Sequence, residues 1–190
     1  MNARSDETCH LRGLGDAQLA VLARASADTA AYGILAERHY PSLRAFLLRM
    51  TGNSALAEDL AQDALLRGFE RIAAFRGDAE FKTWLFSIAH REFLQSHRKA
   101  GVIGRMLERL TQIEPVHAAV DAADELDLCA GLSALREHER ESLLLSDACG
   151  MSHSEIAVVM DAPLGSVKTW IRRARVKMQT TMGHDDVAGN

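Results

Sequence analysis

The stretch PLGSVKTWIRRARVKM, residues 163–178, decides how the rest of the chain is read. Five of the ten residues from Lys168 to Lys177 are cationic. No Glu falls between 164 and 180, so the segment cannot spend this charge on i,i+4 pairs with Glu. At helical spacing, Ile171, Ala174 and Met178 fall within about 20–40° of Val167 and form an inward stripe. Lys168, Arg172 and Arg175 then project to one flank, with Thr169 and Arg173 beyond them. Before this helix, APLG (162–165) reads as a turn. SHSEIAVVMD (152–161) reads as a shorter helix, with Ser152 as N-cap and Glu155 three residues on, a capping box. A short helix, a tight turn and a cationic helix make the helix-turn-helix plan, whose second helix enters the DNA major groove. Arg and Lys can pair with guanine edges or phosphates, and Ser and Thr serve either. Ser166, at the helix start, is placed to bond a phosphate beside free backbone N–H groups. A merely solvated helix face would mix charge signs; this one does not.

The rest of the chain is acidic, with 22 Lys+Arg against 26 Asp+Glu and a formal net charge of −4. Such a chain does not coat nucleic acid by bulk charge, so any contact must come from local patches. Its 190 residues allow one domain or two small ones. Abundant Ala and Leu, only three prolines and 5% aromatic residues favour helix over sheet. The expected fold class is all-α: two small helical domains joined by a linker, the C-terminal one with the helix-turn-helix. The expected boundaries are 1–100 for the first domain, 101–124 for the linker, 125–182 for the second domain and 183–190 for a frayed tail. Cys9, Cys129 and Cys149 are widely spaced and form no CxxC pair, which fits a reducing, cytoplasmic setting. The polar start and the absence of a run of about 18 apolar residues argue against membrane insertion.

Upstream, DAQLAVLARA (16–25) carries Leu19, Leu22 and Ala23 at helical spacing. YGILAERHYPSLRAFLLRM (32–50) is also helix-like, and Pro41 predicts a kink or break at Tyr40–Pro41. In TGNS (51–54), Gly52 can end one helix and Asn53 or Ser54 can cap the next. The helix expected from Ala55 to Ala74 has a broad apolar arc that includes Leu56, Leu60, Leu65 and Phe69. Asp59, Gln62, Asp63 and Glu70 cluster on its remaining side. FRGDAEF (75–81) breaks it at Gly77 and Asp78, and a further helix follows with Trp84, Leu85, Ile88 and Phe93 as core anchors. In the second domain, residues 125–150 predict two helices with a break near Arg136–Glu139.

Two blocks carry a resemblance. AEDLAQDALLRGFERIAAFRGDAEFKTWLFSIAHREFLQSHRK (57–99) resembles the second conserved region of bacterial RNA polymerase sigma factors of the sigma-70 family. GLSALREHERESLLLSDACGMSHSEIAVVMDAPLGSVKTWIRRARVKM (131–178) resembles the fourth. The chain looks most like the small extracytoplasmic-function (ECF) group, which keeps only these two domains. It departs from the commonest pattern at Ser166, where Thr is usual, at Trp170, where Arg is usual, and at LREHER, which lacks the usual Leu-Pro.

The resemblance implies an initiation subunit that binds core RNA polymerase and opens promoter DNA without covalent chemistry. Asp59, Gln62, Asp63 and Glu70 match the surface that docks on polymerase. Arg76, Gly77, Asp78, Ala79, Phe81 and Lys82 match the rim of a pocket for a −10 base, where an aromatic wall and polar edges suit an unstacked base. His90, Arg91, His97, Arg98 and Lys99 match neighbouring contacts to backbone or duplex. Ser166, Lys168, Thr169, Arg172, Arg173 and Arg175 match the −35 reader. The group is commonly held in check by an anti-sigma factor and used in stress responses. No cofactor, metal site or catalytic residue is expected, since neither HExxH nor paired Cys spacing occurs. Three rivals remain at this point: an operator-binding helix-turn-helix regulator, an enzyme, and a pure interaction bundle.

Overall fold

A computed structural model describes residues 10–26, 29–108 and 131–182. All regular structure among them is helical. After a short helical turn at 10–12 come α1 (Asp16–Ser26), α2 (Thr29–Thr51), α3 (Ser54–Arg71) and α4 (Phe81–Glu108). A 3-10 turn, Ile72–Ala74, follows α3. After a helical turn at 131–133, the C-terminal unit holds α5 (Glu137–Leu143), α6 (His153–Val159) and α7 (Leu164–Met182). Both expected domains are therefore present as helical units. The linker expected at 101–124 begins as helix, because α4 runs on to Glu108. The rest of that linker, the 183–190 tail, Cys9 and Cys129 lie outside the described residues.

The N-terminal unit is built around α2, α3 and α4. Leu35, Leu43, Phe46 and Leu47 of α2 meet Leu85 and Phe86 of α4 in a closed core, with the Phe46 and Phe86 rings 5.7 Å apart. Of the kink or break expected at Pro41, the break does not occur: α2 continues through it. An interior proline costs about 3 kcal/mol. Burial of each large apolar side chain returns about 1.5–3 kcal/mol, and α2 buries them on both sides of Pro41. Pro41 itself faces solvent, and the Ser42 hydroxyl donates to the His39 carbonyl at 3.0 Å. Asp16 at the start of α1 also fixes this stretch, accepting from Arg38 at 2.8 Å and meeting His39 Nε2 at 2.6 Å. Burial alone would raise the Asp16 carboxyl, but these two partners outweigh it and hold the pKa below the usual range.

Gly52, at φ 65°, ends α2, and Asn53 caps α3 by accepting from the Leu56 N–H at 3.0 Å, as the TGNS turn predicts. The buried side of α3 is narrow and lined by small residues: Ala57, Ala61, Ala64 and Gly68, with Leu60. Gly68 lets α2 approach, and the Tyr32 hydroxyl passes over it to donate to the Leu65 carbonyl at 2.6 Å. A Cβ at 68 would collide with that hydroxyl. We expect Gly68→Ala to lower stability by about 1–3 kcal/mol, overpacking and a lost hydrogen bond outweighing the helix-propensity gain of about 1 kcal/mol. Denaturant midpoints of the two proteins measure this.

In the C-terminal unit, the predicted break near Arg136 is the turn before α5. Past Leu143 the helix widens into a π turn, Leu144–Ala148, closed by the Cys149 N–H on the Leu144 carbonyl at 3.0 Å. Gly150, at φ 65°, then reverses the chain into α6.

Candidate nucleic-acid interface

The helix-turn-helix forms as its sequence predicts. The Glu155 N–H donates to the Ser152 hydroxyl at 3.3 Å, and the Ser152 N–H donates to the Glu155 carboxylate at 2.8 Å. The turn ends α6 at Met160 and places Asp161 at φ 49°, a left-handed value that Asp tolerates better than most residues. In α7, Val167, Ile171 and Ala174 are buried against α5 and α6, and Met178 is half-buried.

The cations on α7 divide into two sets. Lys168, Arg172 and Arg173 are exposed and, among the described residues, carry no ion pair. Arg175 turns back to Asp147 in the π turn at 2.7 Å, and Lys177 reaches buried Glu139 at 2.6 Å. The Asp147 carboxyl would rise on burial, but the hydrogen bonds from Arg175 and Ser146 lower it. Thr169 donates its hydroxyl to the Gly165 carbonyl at 2.8 Å. Trp170 rests on His138 of α5 with ring centres 4.8 Å apart, and so contributes to packing within the unit. Ser166 is half-buried at the first turn.

On the N-terminal unit, the loop between α3 and α4 and the start of α4 frame a pocket of about 690 Å³. Arg76, Gly77, Asp78, Ala79, Phe81 and Lys82 all line it, so the structure brings these six predicted residues together. Gly77 makes the bend at φ 80°, and Arg76 meets Asp78 at 3.1 Å in open solvent. Phe75 and Phe81 supply an aromatic wall, their rings 6.0 Å apart. Phe81 is itself buried, packing on Trp84 at 5.7 Å and Tyr32 at 6.1 Å. Arg24 of α1 completes the rim and donates to the Phe75 carbonyl at 3.2 Å.

The remaining predicted residues on α4 separate. Arg91, Arg98 and Lys99 face solvent, as does His97, which stacks on Phe93 at 5.8 Å and lies 4.0 Å from Glu137. His90 does not share that face. It is 6% exposed, and its Nε2 lies 3.0 Å from Glu141 of the C-terminal unit. In this arrangement the helical stripe that holds it is covered by the other domain.

Besides the exposed His97–Glu137 approach, three polar contacts hold that covering. His90 meets Glu141, the Thr83 hydroxyl donates to Glu155 at 3.0 Å, and Lys82 Nζ donates to the Cys149 carbonyl. Ser152 lowers the Glu155 carboxyl through both its hydroxyl and its N–H, with Thr83 adding to the effect. The same Glu155 also lines the pocket. Nothing in its sequence context marks that second position, which depends on long-range packing.

Asp59, Gln62, Asp63 and Glu70 are all exposed on one side of α3. Leu66 lies among them at 62% exposure, and the sequence reading passed over it. Its signal was available: on the helical wheel it falls inside the acidic face, where an apolar residue has no core to join. An apolar anchor ringed by polar groups is a common centre for a binding face.

Cys149 is buried, and desolvation pushes its thiol up to about 11 despite the nearby Lys82 and Arg49. A thiol so placed is poorly ionised at neutral pH. We expect alkylation by iodoacetamide at pH 7.5 to proceed at least tenfold more slowly at Cys149 than in the denatured chain, as peptide mapping would show. Among the described residues, no group of three His, Cys, Asp or Glu side chains is arranged to hold a metal ion, and no helix is long and apolar enough to cross a membrane.

Comparison with known proteins identifies the family. The Sigma-70 region 2 family profile matches residues 35–102, and the Sigma-70 region 4 profile matches 130–178. The ECF RNA polymerase sigma factor EcfG of Rhodopseudomonas palustris (strain TIE-1) is 31% identical over 147 residues, covering 75% of this chain and 80% of that protein. The RNA polymerase sigma factor YlaC of Bacillus subtilis (strain 168) is 27% identical over 155 residues, 78% of this chain and 90% of that one. The sigma factor RpoE, solved in complex with the anti-sigma factor NepR from Bartonella quintana, aligns with a TM-score of 0.68 at 29% identity, covering 77% of this chain and 92% of that one. CnrH, solved with the cytosolic domain of CnrY, shares the fold with a TM-score of 0.69 at 24% identity, covering 90% and 98%. With both regions matched in order and each folded as its own helical unit, the chain belongs to the sigma-70 family of RNA polymerase sigma factors, in its extracytoplasmic-function group.

Proposed function

We propose that this chain joins core RNA polymerase in the cytoplasm and directs it to promoters carrying −35 and −10 elements, without catalysing a covalent step itself. The observation that supports this most is the division of labour between two folded units. One presents three unpaired cations on a helix-turn-helix; the other presents an aromatic-walled pocket beside an exposed basic helix face. The operator-binding regulator needs a sensor domain where the region 2 match lies. The acidic face of α3, centred on Leu66, suits a basic docking surface on polymerase. An anti-sigma partner is the expected control, as in the complex of the Bartonella protein with NepR.

The contacts of His90, Thr83 and Lys82 with the C-terminal unit define a closed resting form. Engaging promoter DNA requires these contacts to part, because Glu155 of the C-terminal unit puts a carboxylate in the lining of the pocket that takes the −10 base. Run-off transcription with purified core polymerase tests the function. Core with this chain should initiate at a −35/−10 promoter and core alone should not; repression of that promoter by the chain alone would favour the regulator instead.

A further inference from the structure

Within the N-terminal unit, α3 and α4 leave a groove of about 370 Å³. Arg67 and Arg71 line one wall, and Arg91, Gln95 and Arg98 the other, with Glu92 between them. Arg67 is tied to Glu92 at 3.0 Å, which cancels one positive charge and fixes the groove's edge. Arg71, Arg91 and Arg98 are exposed and, among the described residues, have no ion-pair partner. Arg91, Gln95 and Arg98 follow one another at i, i+4 and i+7 and so share one stripe of α4. Arg67 and Arg71 stand at i and i+4 on α3. Two basic rows thus face each other across a cleft, an arrangement whose self-repulsion is relieved by a polyanion.

The acidic docking face of α3 and this arginine row are roughly 100° apart around the same helix. We infer that Arg67 and Arg71 belong to the DNA-binding surface: Arg71 grips a backbone phosphate of promoter duplex lying along the groove, and Arg67, held by Glu92, positions it. Across the cleft, Arg91 and Gln95 present the side chains suited to guanine and adenine edges. Helix α3 therefore serves two partners at once, polymerase on its acidic face and DNA on its arginine face. This rests on the sigma-factor reading above.

The test measures holoenzyme affinity for a promoter fragment across a salt series. Each phosphate contact adds about 0.9 to the slope of log K against log salt. Arg71→Ala should flatten the slope by about one and weaken binding about tenfold at low salt, equally for changed −10 sequences. Arg71→Lys, which keeps the charge, should hold the wild-type slope, and affinity of both variants for core polymerase should be unchanged. An unaltered slope in Arg71→Ala, with wild-type holoenzyme binding the promoter normally, overturns the inference and leaves the function intact. Loss of core affinity by Arg71→Ala overturns it as well, assigning the arginine row to polymerase. Failure of the wild-type holoenzyme to bind any promoter strikes the functional reading instead.

Discussion

Holoenzyme carrying Lys168→Ala, Arg172→Ala and Arg173→Ala together should lose roughly a hundredfold or more of its affinity for a −35 element, because each base or phosphate contact contributes about 1–3 kcal/mol. These three are the cations of α7 that the fold leaves free. Arg175→Ala provides the internal comparison. Its guanidinium is committed to Asp147 at 2.7 Å, in a pair about half exposed on both sides. Such a pair is worth about 0.2–1 kcal/mol, so its loss should slightly destabilise the C-terminal unit and reduce −35 binding by less than tenfold. Filter binding of both holoenzymes to a −35 fragment, with core affinity as a control, measures the difference. Equal losses in the two variants would mean that the Asp147 pair opens on DNA and that Arg175 reads the promoter with the others.

The second large effect concerns the closed form. In His90→Asp, two carboxylates would face each other where His90 now meets Glu141, both groups being almost completely buried. Placing a second buried carboxylate beside Glu141, with no cation to compensate either, costs about 3–5 kcal/mol, enough to shift the closure equilibrium by a factor of about 10² or more. His90 lies on the interdomain side of α4, so both units should keep their folds while the contact between them is lost. Small-angle scattering should show the free chain expand, with helix content unchanged. Supplying a cation opposite the new carboxylate, by combining His90→Asp with Glu141→Lys, should return it to compact dimensions. A His90→Asp chain as compact as the wild type would show that the packed arrangement does not depend on this contact.

Local chemistry was readable where a residue's neighbours in sequence are also its neighbours in space. The Ser152–Glu155 capping box, the Gly52–Asn53 punctuation and the inward stripe of Val167, Ile171 and Ala174 are properties of single turns of helix. The break at Gly77 and Asp78 was legible because they interrupt two apolar runs, whereas the loop's role as a pocket rim came from the family resemblance. The break allowed for at Pro41 is absent for the opposite reason. Proline's local preference is to break a helix, but buried residues on both sides of it outweigh that preference. His90 and Glu155 show the same limit at the site itself. One looked like a DNA-facing histidine and the other like a cap alone, and only the packing of one domain on the other reveals their second partners. Arg175 and Lys177 looked like part of one uniform cationic face. Their acids, Asp147 and Glu139, sit on a different helix, beyond the reach of i,i+4 reasoning.

The central claim is that two helical units, each weak alone in an acidic chain, grip separate promoter elements once polymerase fixes their spacing. Tethering then acts as a high effective concentration for the second contact. Footprinting on one promoter fragment, with and without core polymerase, tests this most directly. The account predicts protection of both the −35 and −10 elements with core and none by the free chain at the same concentration. Equal protection by the free chain, or protection of a single element with core present, would contradict it.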